Sequence, residues 1–374
     1  RKVSIKDLLG RDIIEPNKKL LGANISKKIV MVTGAGGSIG SELSRQIIFL
    51  KPKAIILYEI NELALYTIEN ELATLNFSDI KIYPILGSIN NQSRFTNVLN
   101  HYGVNTIYHT AAYKHVPMVE FNITEGIYNN VFGTLKCAIA AIDAKVETFV
   151  LISTDKAVRP TNTMGASKRC AELIIQALSS EQGNTLLSMV RFGNVLGSSG
   201  SVIPLFENQI KQGGPVTVTD INIVRYFMTI PEAVELVIQA GAMAEGGDVF
   251  VLDMGKPVKI YDLAKEMIKL SGLQVLDEEN PEGDIEIKFT GLRPGEKLYE
   301  ELLVGKNTSK TDNELIMRAQ EDMINWETLS SLLDGLKDSL IASEYEKTQA
   351  LLINIVPEFS PQSKIVDLLY KKIR

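Results

Sequence analysis

The chain is poor in the residue types that mark several common chemistries. It has two cysteines, Cys137 and Cys170, without C-x-x-C spacing. That excludes a disulfide framework and fits a reducing compartment. Its three histidines, His101, His109 and His115, have too few thiols beside them to build a zinc site, so no metal is expected. No apolar run approaches the roughly 20 residues needed to cross a bilayer, and no signal peptide is visible. Positive charge is not in excess: 39 Lys and Arg against 45 Asp and Glu leave a net charge of −6. A nucleic-acid-binding surface is therefore disfavoured, and any anionic ligand must be gripped by a local cluster of Arg and Lys. Internal repeats and low-complexity tracts are also missing. What is present is 374 residues, 45% of them hydrophobic, enough for a large α/β domain with a smaller lobe.

Residues 1–26 read as an N-terminal arm in which "VSIKDLLGRD" is a short helix or turn. From Lys27 a strand–helix alternation begins. "KIVMVTG", "AIILYE", "KIYPILG", "TIYHTAA", "TFVLIST" and "TLLSMVRFGN" read as strands; "SELSRQIIFL", "ELALYTIENELATLN", "NVFGTLKCAIAAIDA" and "GASKRCAELIIQALS" read as helices. Such alternation predicts an α/β fold, a doubly wound parallel sheet covered on both faces, over residues 27–200. Gly- and Pro-bearing loops with shorter elements follow, read as a smaller lobe over 201–310 that returns in part to the sheet. A helical, charged tail occupies 311–374. Because it begins at Arg1, the chain is expected to be part of a longer protein.

The first strand runs into "TGAGGSIG", with Gly34, Gly37 and Gly40 around Ser38 and Ile39, and then into a helix. Glycines there allow a tight turn and let backbone N–H groups approach a pyrophosphate at the positive end of the helix. The second strand ends at Glu59, near the spacing at which a carboxylate accepts from the adenosine ribose and repels the extra phosphate of NADP, so NAD is the expected cofactor. Ser88 and Ile89 are expected to edge the adenine, and Ala111 and Ala112 to leave room for the ribose–phosphate spine. His109 is expected to point into the sheet.

The most informative absence is in "ISTDKAVRPTNTMGASKRC". Met164 stands four residues before Lys168, where a nicotinamide enzyme of this kind carries tyrosine, and a thioether has no proton to exchange. The strand-end trio Thr154, Asp155 and Lys156 remains for acid–base work, at the end of a parallel sheet where ligands bind. Together, TGxxGxxG, "HTAA", "STD" and Lys168 resemble the extended short-chain dehydrogenase/reductases. "AAYKHVPMVE", "RFGNVLGSSGSVIPLF", "RYFMTIPEAVELV" and "RPGEKLYEELL" look like the bacterial nucleotide-sugar 4,6-dehydratases. The resemblance is greatest to the branch that acts on UDP-N-acetylglucosamine for cell-surface polysaccharide or protein glycosylation, whose soluble domain is tethered at the cytoplasmic face of the membrane by an N-terminal region. Within it, the form with methionine for tyrosine retains the C5 configuration and includes the bacillosamine-precursor enzyme.

What the resemblance implies can be set beside the residues. A 4,6-dehydratase oxidises C4 by hydride transfer to NAD, eliminates water across C5–C6, and returns the hydride to C6. The elimination needs a base and an acid. Asp155 is expected to protonate the departing C6 hydroxyl and Lys156 to take the C5 proton, with its pKa lowered by burial and by Lys168. Thr154 assists Asp155, and Lys168 orients the nicotinamide ribose. Arg225, Arg293 and Asn194 match the family's pyrophosphate contacts, Arg donating in pairs. Glu296 is expected at the uridine ribose, Thr217 and Val218 at the uracil, and Lys114 and His115 near the sugar. A homodimer or larger homo-oligomer is the family's implied state. Competing readings are the C5-inverting dehydratase, a UDP-sugar 4-epimerase, and a non-catalytic NAD-binding scaffold.

Overall fold

The computed structural model describes residues 16–75, 77–301 and 307–370. The arm segment "VSIKDLLGRD" lies outside them. Six strands, β1 (Ile29–Thr33), β2 (Ala54–Glu59), β3 (Lys81–Leu86), β4 (Thr106–His109), β5 (Thr148–Ile152) and β6 (Leu186–Arg191), form a parallel sheet in the order β3-β2-β1-β4-β5-β6. The order reverses at β1, which pairs with both β2 and β4, and opens a crevice at the strand ends. The apolar runs are continuous because both faces are buried. Along β1, Val30 and Val32 enter one core cluster while Met31 enters the other; along β2, Ile55 and Leu57 oppose Ile56 and Tyr58.

Three short strands follow: β7 (Asn194–Leu196), β8 (Val216–Val218) and β9 (Val224–Thr229). The strand expected across 185–194 therefore breaks at Phe192–Gly193, and its end leaves the main sheet to pair with β9. β10 (Asp248–Leu252) returns to the sheet parallel to β6. β11 (Pro257–Lys259) lies on β9, while β12 (Val275–Leu276) and β13 (Ile285–Phe289) join β8. A separate apolar cluster including Phe206, Val216, Phe227 and Ile268 holds this lobe together.

Strands, not expected there, precede the helices of the tail. β14 (Thr308–Lys310) and β15 (Ile316–Ala319) extend the sheet antiparallel beyond β10 before the helices Trp326–Ile341 and Tyr345–Ile355. The Ser360 and Gln362 amides then donate to the carbonyls of Pro160 and Thr161, so the tail pins the loop that follows Lys156.

Two helices shape the site. The helix expected over 130–144 opens as a π-helical turn, Tyr128–Gly133, before Thr134–Asp143. Asn130, within that turn, bonds to the backbone of Tyr113 and to Ser167, and such turns cluster at functional sites. The helix Thr163–Glu181 is capped by Asn162, whose side chain accepts from the Gly165 amide at 2.8 Å. Every residue from Thr163 to Leu178 is buried, charged ones included.

Candidate active site

Two adjoining cavities open at the strand ends. The first, about 630 Å³, is walled by the glycine turn, Glu59, Gly87–Ile89 and Thr110–Ala112. Gly34 has φ +64°, and a Cβ there would stand 2.9 Å from the Ala111 Cα; one on Gly40 would stand 2.1 Å from the Gly34 carbonyl oxygen. Only hydrogen fits at either position, which keeps the turn tight against β4. The Glu59 carboxylate accepts from the Gly36 amide at 3.0 Å and from Ile60 and Asn61 at 2.9 and 3.0 Å. The residue that faces the cavity thereby also locks the glycine turn. Ser88 is fixed by the Tyr58 hydroxyl, which donates to its carbonyl at 3.1 Å, and Ile89 packs beneath it against Gly133. Gly34, Gly37, Ser38, Ile39, Gly40, Glu59, Ser88, Ile89, Ala111 and Ala112 all line this space. His109 is buried between the hydroxyls of Thr33, at 2.8 Å, and Thr134, at 3.2 Å. Burial, with Lys168 nearby, pushes its pKa down to about 3.

The second cavity, about 400 Å³, shares Ile39, Ala112, Lys114 and His115 with the first. Thr154, Lys156, Met164 and Lys168 stand on its wall beside Asn194, and the smaller lobe adds Thr217, Val218, Arg225, Arg293 and Glu296. Residues far apart in sequence therefore meet here. Burial lowers the pKa of Lys114, and burial with Lys114 lowers that of His115. Lys168 Nζ donates to the Ile152 carbonyl at 2.6 Å, and burial pushes it down to about 8. Arg225 does not present a free fork: Nη1 donates to Val224 O at 2.8 Å and Nη2 to Lys297 O at 2.7 Å. Glu296 holds the loop, accepting from the Arg293 amide at 3.1 Å. The Thr217 amide and hydroxyl are engaged by the Gln209 side chain, and Val218 O accepts from Thr290 N.

The strand tip holds one departure from expectation, the Lys156 pKa, beside a closely packed Asp155 carboxylate. The Asp155 Oδ1 is drawn to the Thr154 hydroxyl at 2.9 Å and to Lys156 Nζ at 3.0 Å. Its Oδ2 is buried against Gly193, which itself lines the sugar-side cavity. The Lys156 pKa is not lowered. Burial acts in that direction, but the carboxylates of Asp155 and Glu300 outweigh it, and the ammonium form is favoured.

Glu300, which sequence reasoning passed over inside "RPGEKLYEELL", lies 3.7 Å from Lys156 Nζ on the cavity wall. A second unforeseen group is Glu172, one turn beyond Lys168. It accepts from Ser153 at 2.6 Å, from Arg191 at 2.7 and 2.5 Å and from Arg169 at 3.3 Å, tying the tip of β5 to β6. Its only sequence signal was a carboxylate on a helix otherwise apolar at that turn.

The capsular polysaccharide biosynthesis protein CapD of Staphylococcus aureus is 53% identical over 303 residues, 81% of this chain; the chain spans only 49% of that relative's length. A UDP-glucose 4-epimerase of Rickettsia rickettsii is 35% identical over 76% of this chain and 80% of its own. Among solved structures, Pen from Bacillus thuringiensis superposes with a TM-score of 0.70 at 32% identity, covering 83% of this chain and 98% of that one. DesIV, a dTDP-glucose 4,6-dehydratase from Streptomyces venezuelae with NAD and TYD bound, gives 0.64 at 20% identity, covering 87% and 99%. Among the described residues no helix is long and apolar enough to cross a membrane. A family model for polysaccharide biosynthesis proteins matches residues 30–321. The chain belongs to that polysaccharide biosynthesis protein family, built on the Rossmann-type fold of the extended short-chain dehydrogenase/reductases.

Proposed function

We propose that the chain catalyses 4,6-dehydration of UDP-N-acetylglucosamine with retention at C5, as one step in making a 6-deoxy sugar for a surface glycan or glycoprotein. One observation carries the reading: Met164 stands on the sugar-side wall beside Lys168, and Thr154 and Lys156 are among the proton-bearing groups facing the same space. Simple C4 oxidation and re-reduction needs one proton carrier near the C4 hydroxyl. Elimination needs groups that reach C5 and C6 as well, and a lysine ringed by carboxylates supplies them.

NAD suits the first cavity: the glycine turn admits no side chain, and the Glu59 carboxylate faces the space where a ribose would lie. When bound there, it would supply a reversible hydride acceptor. The chain's own residues do the rest. Lys168, held by the Ile152 carbonyl, fixes a positive group beside Met164. Thr154 and Asn194 hold Lys156 against the wall, Asn194 Oδ1 accepting from Nζ at 3.3 Å. Once C4 is a ketone, the C5 proton is acidified and Lys156 is placed to move it. Arg293, exposed at the cavity mouth, and Arg225 behind it supply positive charge for a diphosphate. We infer a homodimer from the same family likeness.

The experiment is proton NMR of UDP-N-acetylglucosamine turned over with NAD in heavy water. The expected product carries a C6 methyl, deuterium at C5 and unchanged C5 configuration. The Rickettsia relative favours a second reading, 4-epimerisation. A product altered at C4 with C6 still hydroxylated would establish it and refute dehydration; an inverted C5 would remove retention alone.

A further inference from the structure

We propose that Lys297 is a positioning residue for the sugar-side site: its backbone holds Arg225, and its side chain holds the turn that carries Lys156. The inference deepens the reading above and rests on it only for the substrate used in the assay. Lys297 is buried and lines neither cavity, so it acts through other residues. Its Nζ donates to the carbonyls of Val158 at 3.2 Å and Arg159 at 2.9 Å. Those carbonyls follow directly on the 3₁₀ turn Asp155–Ala157, in which the Ala157 and Val158 amides donate back to Thr154 and Asp155. The Lys297 carbonyl accepts from Arg225 Nη2 at 2.7 Å, and the next one, Leu298, from Nη1 at 3.3 Å. One residue therefore joins the arginine on the diphosphate side to the strand tip by hydrogen bonds at both ends. Glu300 also lies between Lys156 and Arg225, at 3.7 and 3.9 Å, but beyond hydrogen-bond distance of both.

The loop that Lys297 grips needs holding. Arg159 has φ +38°, a left-handed conformation that a residue with a Cβ keeps only where its surroundings fix it. The nearby Glu301 Oε1 is 3.8 Å from Lys297 Nζ, outside hydrogen-bond distance, so the ammonium is directed at the backbone. Hydrogen bonds from a charged donor are about twice as strong as neutral ones. Four successive carbonyls are thereby gripped: Val158 and Arg159 by Lys297, and Pro160 and Thr161 by the tail amides of Ser360 and Gln362. Losing the Lys297 ammonium frees the half of the loop next to Lys156 and leaves the tail's half anchored. The expected result is a local shift of the turn rather than unfolding, and a misplacement of about 1 Å is enough to cost about 10²-fold in rate.

The test compares wild type, Lys297→Met and Lys297→Arg in three measurements: steady-state turnover of UDP-N-acetylglucosamine by NMR, UDP affinity by calorimetry, and amide hydrogen exchange without ligand. Lys297→Met is expected to lower kcat about 10²-fold, with KM and UDP affinity within about threefold of wild type. Exchange should quicken at Ala157 and Val158 and stay unchanged along the helix Thr163–Glu181. Lys297→Arg can still donate to both carbonyls and should recover at least about tenfold of the lost rate. The proposal is overturned by a methionine variant that turns over within about threefold of wild type, or by an arginine variant no better than methionine. Exchange that quickens across the whole domain also overturns it, since Lys297 would then only stabilise the fold. So does UDP affinity falling in step with turnover, which would confine the residue to supporting Arg225. Should Lys297→Met not fold, Lys297→Gln carries the same measurements with the same refuting outcomes. A wild type that yields only the C4 epimer defeats the dehydratase reading instead; the exchange pattern and the epimerisation rate then decide the role of Lys297.

Discussion

Glu172→Gln is the substitution in which the fold and the site are most directly coupled. Glu172 is fully buried, with Arg191 and Arg169 also buried on either side of it and Glu321 as the second carboxylate of the cluster. Glutamine keeps the shape but removes the charge, and its amide turns a donor toward a guanidinium that also donates. Two guanidiniums then share Glu321 alone, at 2.5 Å from Arg191 and 3.4 Å from Arg169. One buried positive charge is left without a carboxylate of its own, although Arg169 still donates to Gln176 and to the Asp322 carbonyl, and such a change costs about 3–5 kcal/mol. The assay is urea unfolding of both proteins at pH 7, the difference read from the shift of midpoint at equal slope. The sign of its pH dependence is fixed. Burial pushes the Glu172 carboxyl up, but Arg191, with Arg169 and Ser153, more than reverses it and holds it below the usual value. A depressed carboxyl contributes stability above its unfolded value, near pH ~4.3, and that contribution is lost as pH falls through the folded value. The gap between wild type and variant should therefore narrow below about pH 4. A difference under about 1 kcal/mol at pH 7, or one that stays constant into acid, would refute the assignment of a buried charge pair.

Met164→Leu conserves volume at a buried position and should cost under about 1.5 kcal/mol. If the thioether carries no proton, turnover should stay within about threefold of wild type in steady-state kinetics, and a larger loss would implicate Met164 in the chemistry. Lys168→Met tests the buried ammonium. Burial lowers Lys168 to about 8, whereas the unfolded chain keeps that proton to about 10.4. Between those values the unfolded state binds more protons, so wild-type stability should rise with pH relative to the variant, by on the order of 3 kcal/mol across the window. Denaturant unfolding at pH 7.5 and at pH 10 measures it, and a pH-independent difference would contradict the burial.

The sheet was legible because its strands are apolar on both faces, and such runs survive any tertiary context. "AIILYE" became β2 without a residue of error. The glycine turn was legible for a different reason: backbone geometry at Gly34 and Gly40 excludes a side chain outright. The helix Gln92–Tyr102 was not foreseen. Its sequence is largely polar, and it is fixed by an Asn91 cap and a thin apolar stripe of Phe95, Val98 and Leu99. β15 is four residues long and carries no period of its own; pairing with β10 makes it a strand.

The site failed to be legible in a more specific way. The residue types at Thr154–Lys156 were visible, but the state of Lys156 depends on which carboxylates arrive beside it. Asp155 comes from the preceding position along the chain, while Glu300 comes from a distant segment that also approaches Arg225. Glu172 likewise looks like one more polar residue on a helix, and only the approach of β6 and of the segment after β15 makes it the centre of a charge cluster. Local pattern can name a base or an acid. Whether a lysine is an amine or an ammonium is decided by long-range partners, so the sequence could single out Lys156 and still carry the wrong expectation for its proton.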